Sequence, residues 1–105
     1  MIPASLKSFM DRLLSATDNG ELRWKEGATK DAYFCERNDQ AVHISFWYDP
    51  DRERSIYTVR LIKPNADAGF SVLDYESDFT FIRNLFEAVE ANAGRFDKMA
   101  EEFFA

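Results

Sequence analysis

A single cysteine, Cys35, stands among the 105 residues, with one histidine, three prolines and four glycines. One thiol closes no intrachain disulfide, so the chain is not a small oxidised scaffold held by bridges. One imidazole excludes a two-histidine metal site and leaves a His-based triad without supporting residues. Four glycines form neither a GxGxxG fingerprint nor a phosphate-binding P-loop, and no GxSxG nucleophile elbow occurs. No apolar run approaches the length of a membrane span. The opening MIPASLKSFMDRLL carries Asp11 and Arg12 where a signal peptide needs an unbroken apolar stretch. The expectation is a cytoplasmic protein with no cofactor, no metal and no catalytic constellation.

What is present suits one folded domain over residues 1–105. The apolar fraction is 46% and there are ten phenylalanines. At this length about two-thirds of the unfolded chain's surface is buried, enough for a core without staples. Net charge is −6, unevenly placed. Residues 1–63 hold ten basic and ten acidic side chains, whereas residues 64–105 hold three basic and nine acidic. An acidic surface repels phosphate backbones and anionic lipid, so duplex nucleic acid and membranes are poor partners.

Residues 4–17 place Leu6, Phe9, Met10, Leu13, Leu14 and Thr17 at spacings of three and four, the stripe of an amphipathic helix. Gly20 is set to end it. From residue 21 to 75 the period becomes two. Val42, Ile44 and Phe46 alternate with His43, Ser45 and Trp47, and Tyr57, Val59 and Leu61 alternate with Ile56, Thr58 and Arg60. Asn38-Asp39, Asp49-Pro50-Asp51 and Pro64-Asn65 are turn signals. The short connections predict an antiparallel meander of four to five strands. Residues 78–104 then read as helix with Ser77 as N-cap, and the class is α+β with the helices on one face of the sheet.

A straight helix over 78–104 would be about 40 Å long, against about 17–20 Å for a typical strand. Phe96, Met99, Phe103 and Phe104 would overhang the sheet. Either the chain breaks near Gly94 and folds back, or the overhang packs on another chain, such as a second copy. On the same helix Glu87, Glu90, Asp97 and Glu101 form an acidic strip, a solvated face or a dock for a basic partner.

Leu13-Leu14-x-Ala16-Thr17-x-x-Gly20-x-Leu22-x-Trp24, followed by Tyr33, resembles a group of small uncharacterised bacterial proteins that open with an amphipathic helix and pass through T-x-x-G-x-L-x-W. The resemblance implies this fold and a bacterial or phage origin. It implies no catalytic residue. The chain departs from that pattern at Glu90-Ala91-Asn92-Ala93-Gly94-Arg95, where the group has a central Ala-Arg.

The candidate partner-binding residues are therefore Trp47, Arg60, Ile56 and His43 on the sheet face turned from the helices, and Phe96, Met99 and Phe103 near the C-terminus. Tyr75 is a candidate cover for Trp47, and Cys35 reads as a small buried side chain. The leading expectation is a non-enzymatic protein-binding or regulatory module, immunity- or adaptor-like. The alternatives are a small-ligand binder or enzyme with a pocket between sheet and helices, and a single-stranded nucleic-acid binder on the open sheet.

Overall fold

The computed structural model describes all 105 residues except the side chains of Phe96 and Asp97. After a 3-10 turn at Ala4–Leu6, helix α1 spans Lys7–Asp18. Five strands follow: β1 at Lys25–Glu26, β2 at Ala32–Arg37, β3 at Gln40–Asp49, β4 at Arg54–Lys63 and β5 at Ala66–Leu73. Helices α2, Phe79–Ala93, and α3, Phe96–Phe104, complete the chain. The sheet runs in sequence order, β1-β2-β3-β4-β5, every neighbouring pair antiparallel. This is the expected α+β meander.

The turns form where short polar residues accept unusual backbone angles. Asn38 and Asp39 both have positive φ, 54° and 62°, the conformation a two-residue hairpin needs to match strand twist. Asp49 Oδ1 accepts the amides of Asp51 and Arg52 and so holds the β3–β4 turn. Gly20, at φ 81°, ends α1 as expected.

Strand alternation sends Cys35, Ile44, Tyr57, Val59 and Val72 to one face, where they are buried. They pack against Met10 and Leu13 of α1 and Ile82, Leu85, Phe86 and Val89 of α2. Burying each such aliphatic side chain contributes about 1.5–3 kcal/mol. Phe86 ties the layers together, its ring centroid 5.6 Å from Tyr33 and 5.2 Å from Tyr57.

The T-x-x-G-x-L-x-W segment is a buried knot. Trp24 Nε1 donates to Thr17 Oγ1 at 3.0 Å, and Thr17 Oγ1 donates to the Leu13 carbonyl at 2.7 Å. Asn92 of α2 closes the knot. Its Oδ1 accepts the Trp24 amide at 2.8 Å, and its Nδ2 donates to the carbonyls of Leu22 and Thr17 at 2.8 and 3.2 Å. Among the described residues no buried side-chain nitrogen or oxygen is left without a partner.

Two details at the helix ends differ from expectation. Asp78, not Ser77, is the N-cap residue of α2. Its carbonyl accepts the Ile82 amide, and its carboxylate accepts the Ile2 amide at 2.9 Å, anchoring the buried Ile2. The long helix does stop near Gly94, but Gly94 has ordinary right-handed angles and Arg95 takes the left-handed conformation, φ 55°. Arg95 thereby separates α3 from α2.

Candidate functional site

The register of β2 to β5 builds the open face row by row. Trp47 lies opposite Ile56, and Ile56 opposite Leu73, giving one apolar row across three strands. Ser45, Thr58 and Ser71 form the next, and Thr58 Oγ1 and Ser71 Oγ lie 3.0 Å apart in a hydrogen bond. Phe34, His43, Arg60 and Gly69 form the third. The four expected residues Trp47, Ile56, His43 and Arg60 thus share one face. Trp47 is 58% exposed, His43 and Arg60 are exposed, and Ile56 is half-buried.

Tyr75 does not shield Trp47. It is itself exposed, with the Arg54 guanidinium 5.0 Å above its ring. Arg54 Nη1 also donates to Asp74 at 3.2 Å, and the Asp74 carboxyl is held below its ordinary pKa, chiefly by the Ser55 amide.

The His43 ring stacks on Phe34, centroids 5.5 Å apart at 23°. Arg60 pairs with Asp67 on β5. Gly69 makes room for that pair: a Cβ there would stand 3.1 Å from Arg60 Cγ. Over this row lies a shallow groove of about 790 Å³, bounded by the Gly27–Thr29 turn and floored by His43, Ser45, Thr58 and Arg60. Glu36 shares its floor and is a diagonal neighbour of His43. With its charge paired to Asp67, Arg60 offers the groove a guanidinium already partly neutralised.

Cys35 faces the helices and is buried. Burial pushes its thiol up to about 11, so it is neutral near pH 7 and a poor nucleophile. Among the described residues no three histidine, cysteine or carboxylate side chains come together as metal ligands.

A second concavity, about 780 Å³, runs between α1 and the β2–β3 end of the sheet. Its walls are Phe9, Leu13, Leu22, Val42 and Leu61, with Arg12 and Arg37 at its border. His43 lies on the other side of the sheet, so no imidazole reaches this groove.

At the C-terminus Met99, Phe103 and Phe104 are 62%, 81% and 86% exposed. Phe103 and Phe104 pack edge to face on each other, centroids 5.0 Å apart. The side chain of Phe96, the remaining expected residue, lies outside the described residues.

The residue that the sequence reading missed is Asn92. Its signal is positional: it follows Val89 by three and so falls on the buried stripe of α2, where an amide must have internal partners.

Comparison with protein family models, with curated proteins and with solved structures returns no match. No helix among the described residues is long and apolar enough to cross a membrane.

Proposed function

We propose that this chain is a non-enzymatic protein-binding module, immunity- or adaptor-like, acting in the cytoplasm, whose partner lies on the open face of the sheet. The observation that carries the reading is the apolar row Trp47–Ile56–Leu73, with Arg60 and His43 on the same face. Tryptophan and arginine are the residue types that dominate binding energy at protein interfaces. A sheet stiffened by five strands presents them with little ordering cost.

The acid–base environment supports binding over catalysis. The one thiol is buried and protonated, and the one histidine is stacked on a phenylalanine on an exposed surface. Single-stranded nucleic acid needs a basic track beside the aromatics. Here Arg60 is paired with Asp67, and Glu36 lies on the same face.

Affinity capture with the wild-type chain and with a Trp47→Ser/Arg60→Ser variant tests the reading. The expected outcome is one protein retained by the wild type and lost by the variant, with unchanged circular dichroism. A partner that binds both equally, or no specific partner from the source cell, overturns it. A gel shift with single-stranded DNA at low salt is expected to show no complex.

A further inference from the structure

Helix α3 carries an apolar stripe that its own chain leaves in water. Met99, Phe103 and Phe104 are all exposed, and at 100° per residue Ala100 falls within the arc they span. The same chain has an unfilled apolar groove beside α1, walled by Phe9, Leu22, Val42 and Leu61. Exposed apolar stripes of this kind mark contact surfaces.

We propose that the occupant of the α1 groove is helix α3 of a second copy of this chain, and that the exchange is reciprocal. Three observations select this occupant. The first is placement. Asn92, at the end of α2, is bonded to the carbonyl of Leu22, a groove wall, so α3 leaves the domain beside the groove mouth. The two residues between α2 and α3 turn the helix so that Met99, Phe103 and Phe104 stay exposed and the chain's own groove stays unfilled.

The second is area. A buried phenylalanine removes about 150–250 Å² from water. Phe103 and Phe104, with a matching loss from the groove wall and two equivalent contacts, give roughly 1,200–2,000 Å² in total, the size of a stable specific interface. Stripe against stripe, α3 on α3, removes only about half of that.

The third is charge. Arg12 and Arg37 border the groove, and α3 brings Glu101 and Glu102. Asp11 and Glu21 on the same border leave a partner for Lys98. This surface is separate from the open sheet face, so a dimer keeps Trp47 and Arg60 free for a different protein.

Light scattering and directed cross-linking of the full chain test the proposal. The expected mass is twice that of the chain, falling to one chain in Phe103→Glu/Phe104→Glu. That variant folds normally, because both residues are exposed in the single chain. Ser15→Cys, in the groove, and Ala100→Cys, on the stripe, are then made in separate Cys35→Ala chains, because Cys35 lines the same groove, and mixed under mild oxidation. The expected product is the Ser15–Ala100 heterodimer, with no product from the Cys35→Ala chain alone. A monomer at every concentration overturns the proposal. So does cross-linking of Ala100→Cys only to itself, which places α3 on α3. Closure within one doubly substituted chain overturns it too, since α3 then fills its own groove.

Discussion

On the helix side of the sheet, Ile44, Val59 and Val72 lose essentially all contact with water. One residue along each strand, Ser45, Thr58 and Ser71 look out on the other side, flanked by Trp47 and Arg60. The backbone hydrogen bonds are common to both faces, so the contrast lies in the side chains alone. The covered face is apolar and closed by two helices. The open face mixes large apolar groups, hydroxyls and the ion pairs Arg60–Asp67 and Arg54–Asp74, a composition that suits a wet, separable contact better than a permanent core. The covered side carries the stability of the five-stranded layer, and the binding role proposed for the chain falls on the opposite side.

The widest separation between the faces should appear in truncations of similar size. Ile44→Ala is expected to cost about 2–5 kcal/mol, because α2 cannot collapse fully into the space. Ile56→Ala, one strand over on the open face, should stay within about 1 kcal/mol. Urea unfolding of the two variants checks this. Equal losses would mean that the open face is covered in solution, and would point to the partner surface being filled.

The buried knot provides the next effect. Asn92→Ala leaves the Trp24 amide and the Leu22 and Thr17 carbonyls without their side-chain partner. An orphaned buried group costs about 1–3 kcal/mol, so a loss of roughly 3 kcal/mol is expected for the set, with some relief from water. Trp24→Phe removes one donor, about 1 kcal/mol, while Thr17 Oγ1 stays bonded to Leu13, and the smaller buried ring leaves a space that costs about 1 kcal/mol more. Thermal unfolding should rank the two in that order.

Those two substitutions mark where the sequence was legible and where it was not. The period of two in Val42–Trp47 and Ile56–Leu61 depends only on local alternation, and it placed the side chains of these two strands on their correct faces, whereas the same period read over 21–26 survives only as the two-residue β1. The exit of α1 at Gly20 is equally local. Asn92 is different: its partners lie about 70 residues away in sequence, so only the tertiary fold gives it a purpose. Asp78 displaces Ser77 for the same reason, since its carboxylate is drawn to the amide of Ile2 across the whole chain. At the C-terminus, Arg95 in the left-handed region ends the regular helix beside the glycine that composition favours. For the candidate site, the register brought Trp47, Ile56, His43 and Arg60 together, but the Asp67 partner and the gap at Gly69 belong to β5 and follow from strand pairing alone.

Cysteine chemistry gives a sharper probe of the same contrast. With the Cys35 thiol raised from 9.0 to about 11, its thiolate fraction at pH 8 is about a hundredfold below that of the unfolded chain. A thiol reagent at pH 8 should label the native protein only as fast as the domain opens. Phe34→Cys in a Cys35→Ala chain moves the thiol one residue, onto the open face, and should label within the reagent's ordinary time. Rapid labelling of native Cys35 would show that the thiol is reached from the groove beside α1, which it lines, without opening of the domain.

The smallest effect lies at the edge of the covered layer, where α2 meets the β1–β2 turn. The Glu90 carboxyl is raised above its ordinary pKa by partial burial first, then by the charges of Asp31 and Glu87. The Tyr33 hydroxyl is raised too, by burial and then by Glu90, Glu26 and Asp31, so this edge carries an excess of negative charge. A carboxyl raised in the folded state binds its proton more tightly there than in the unfolded chain. Its contribution therefore worsens as pH climbs from the unfolded value through the folded one, and is fully unfavourable at neutral pH. Glu90→Gln should stabilise the protein at pH 7 by a few tenths of a kcal/mol, the scale of one like-charge pair on a helix. The gain should vanish below the ordinary carboxylate range, where wild-type Glu90 is protonated as well. Glu76 runs the other way. Its carboxyl is lowered, chiefly by the Met1 amine 2.7 Å away, so its contribution is lost as pH falls. Unfolding curves of Glu90→Gln and the wild type from acid to neutral pH separate the two. A gain that persists undiminished in acid would assign the effect to packing of the amide and not to charge.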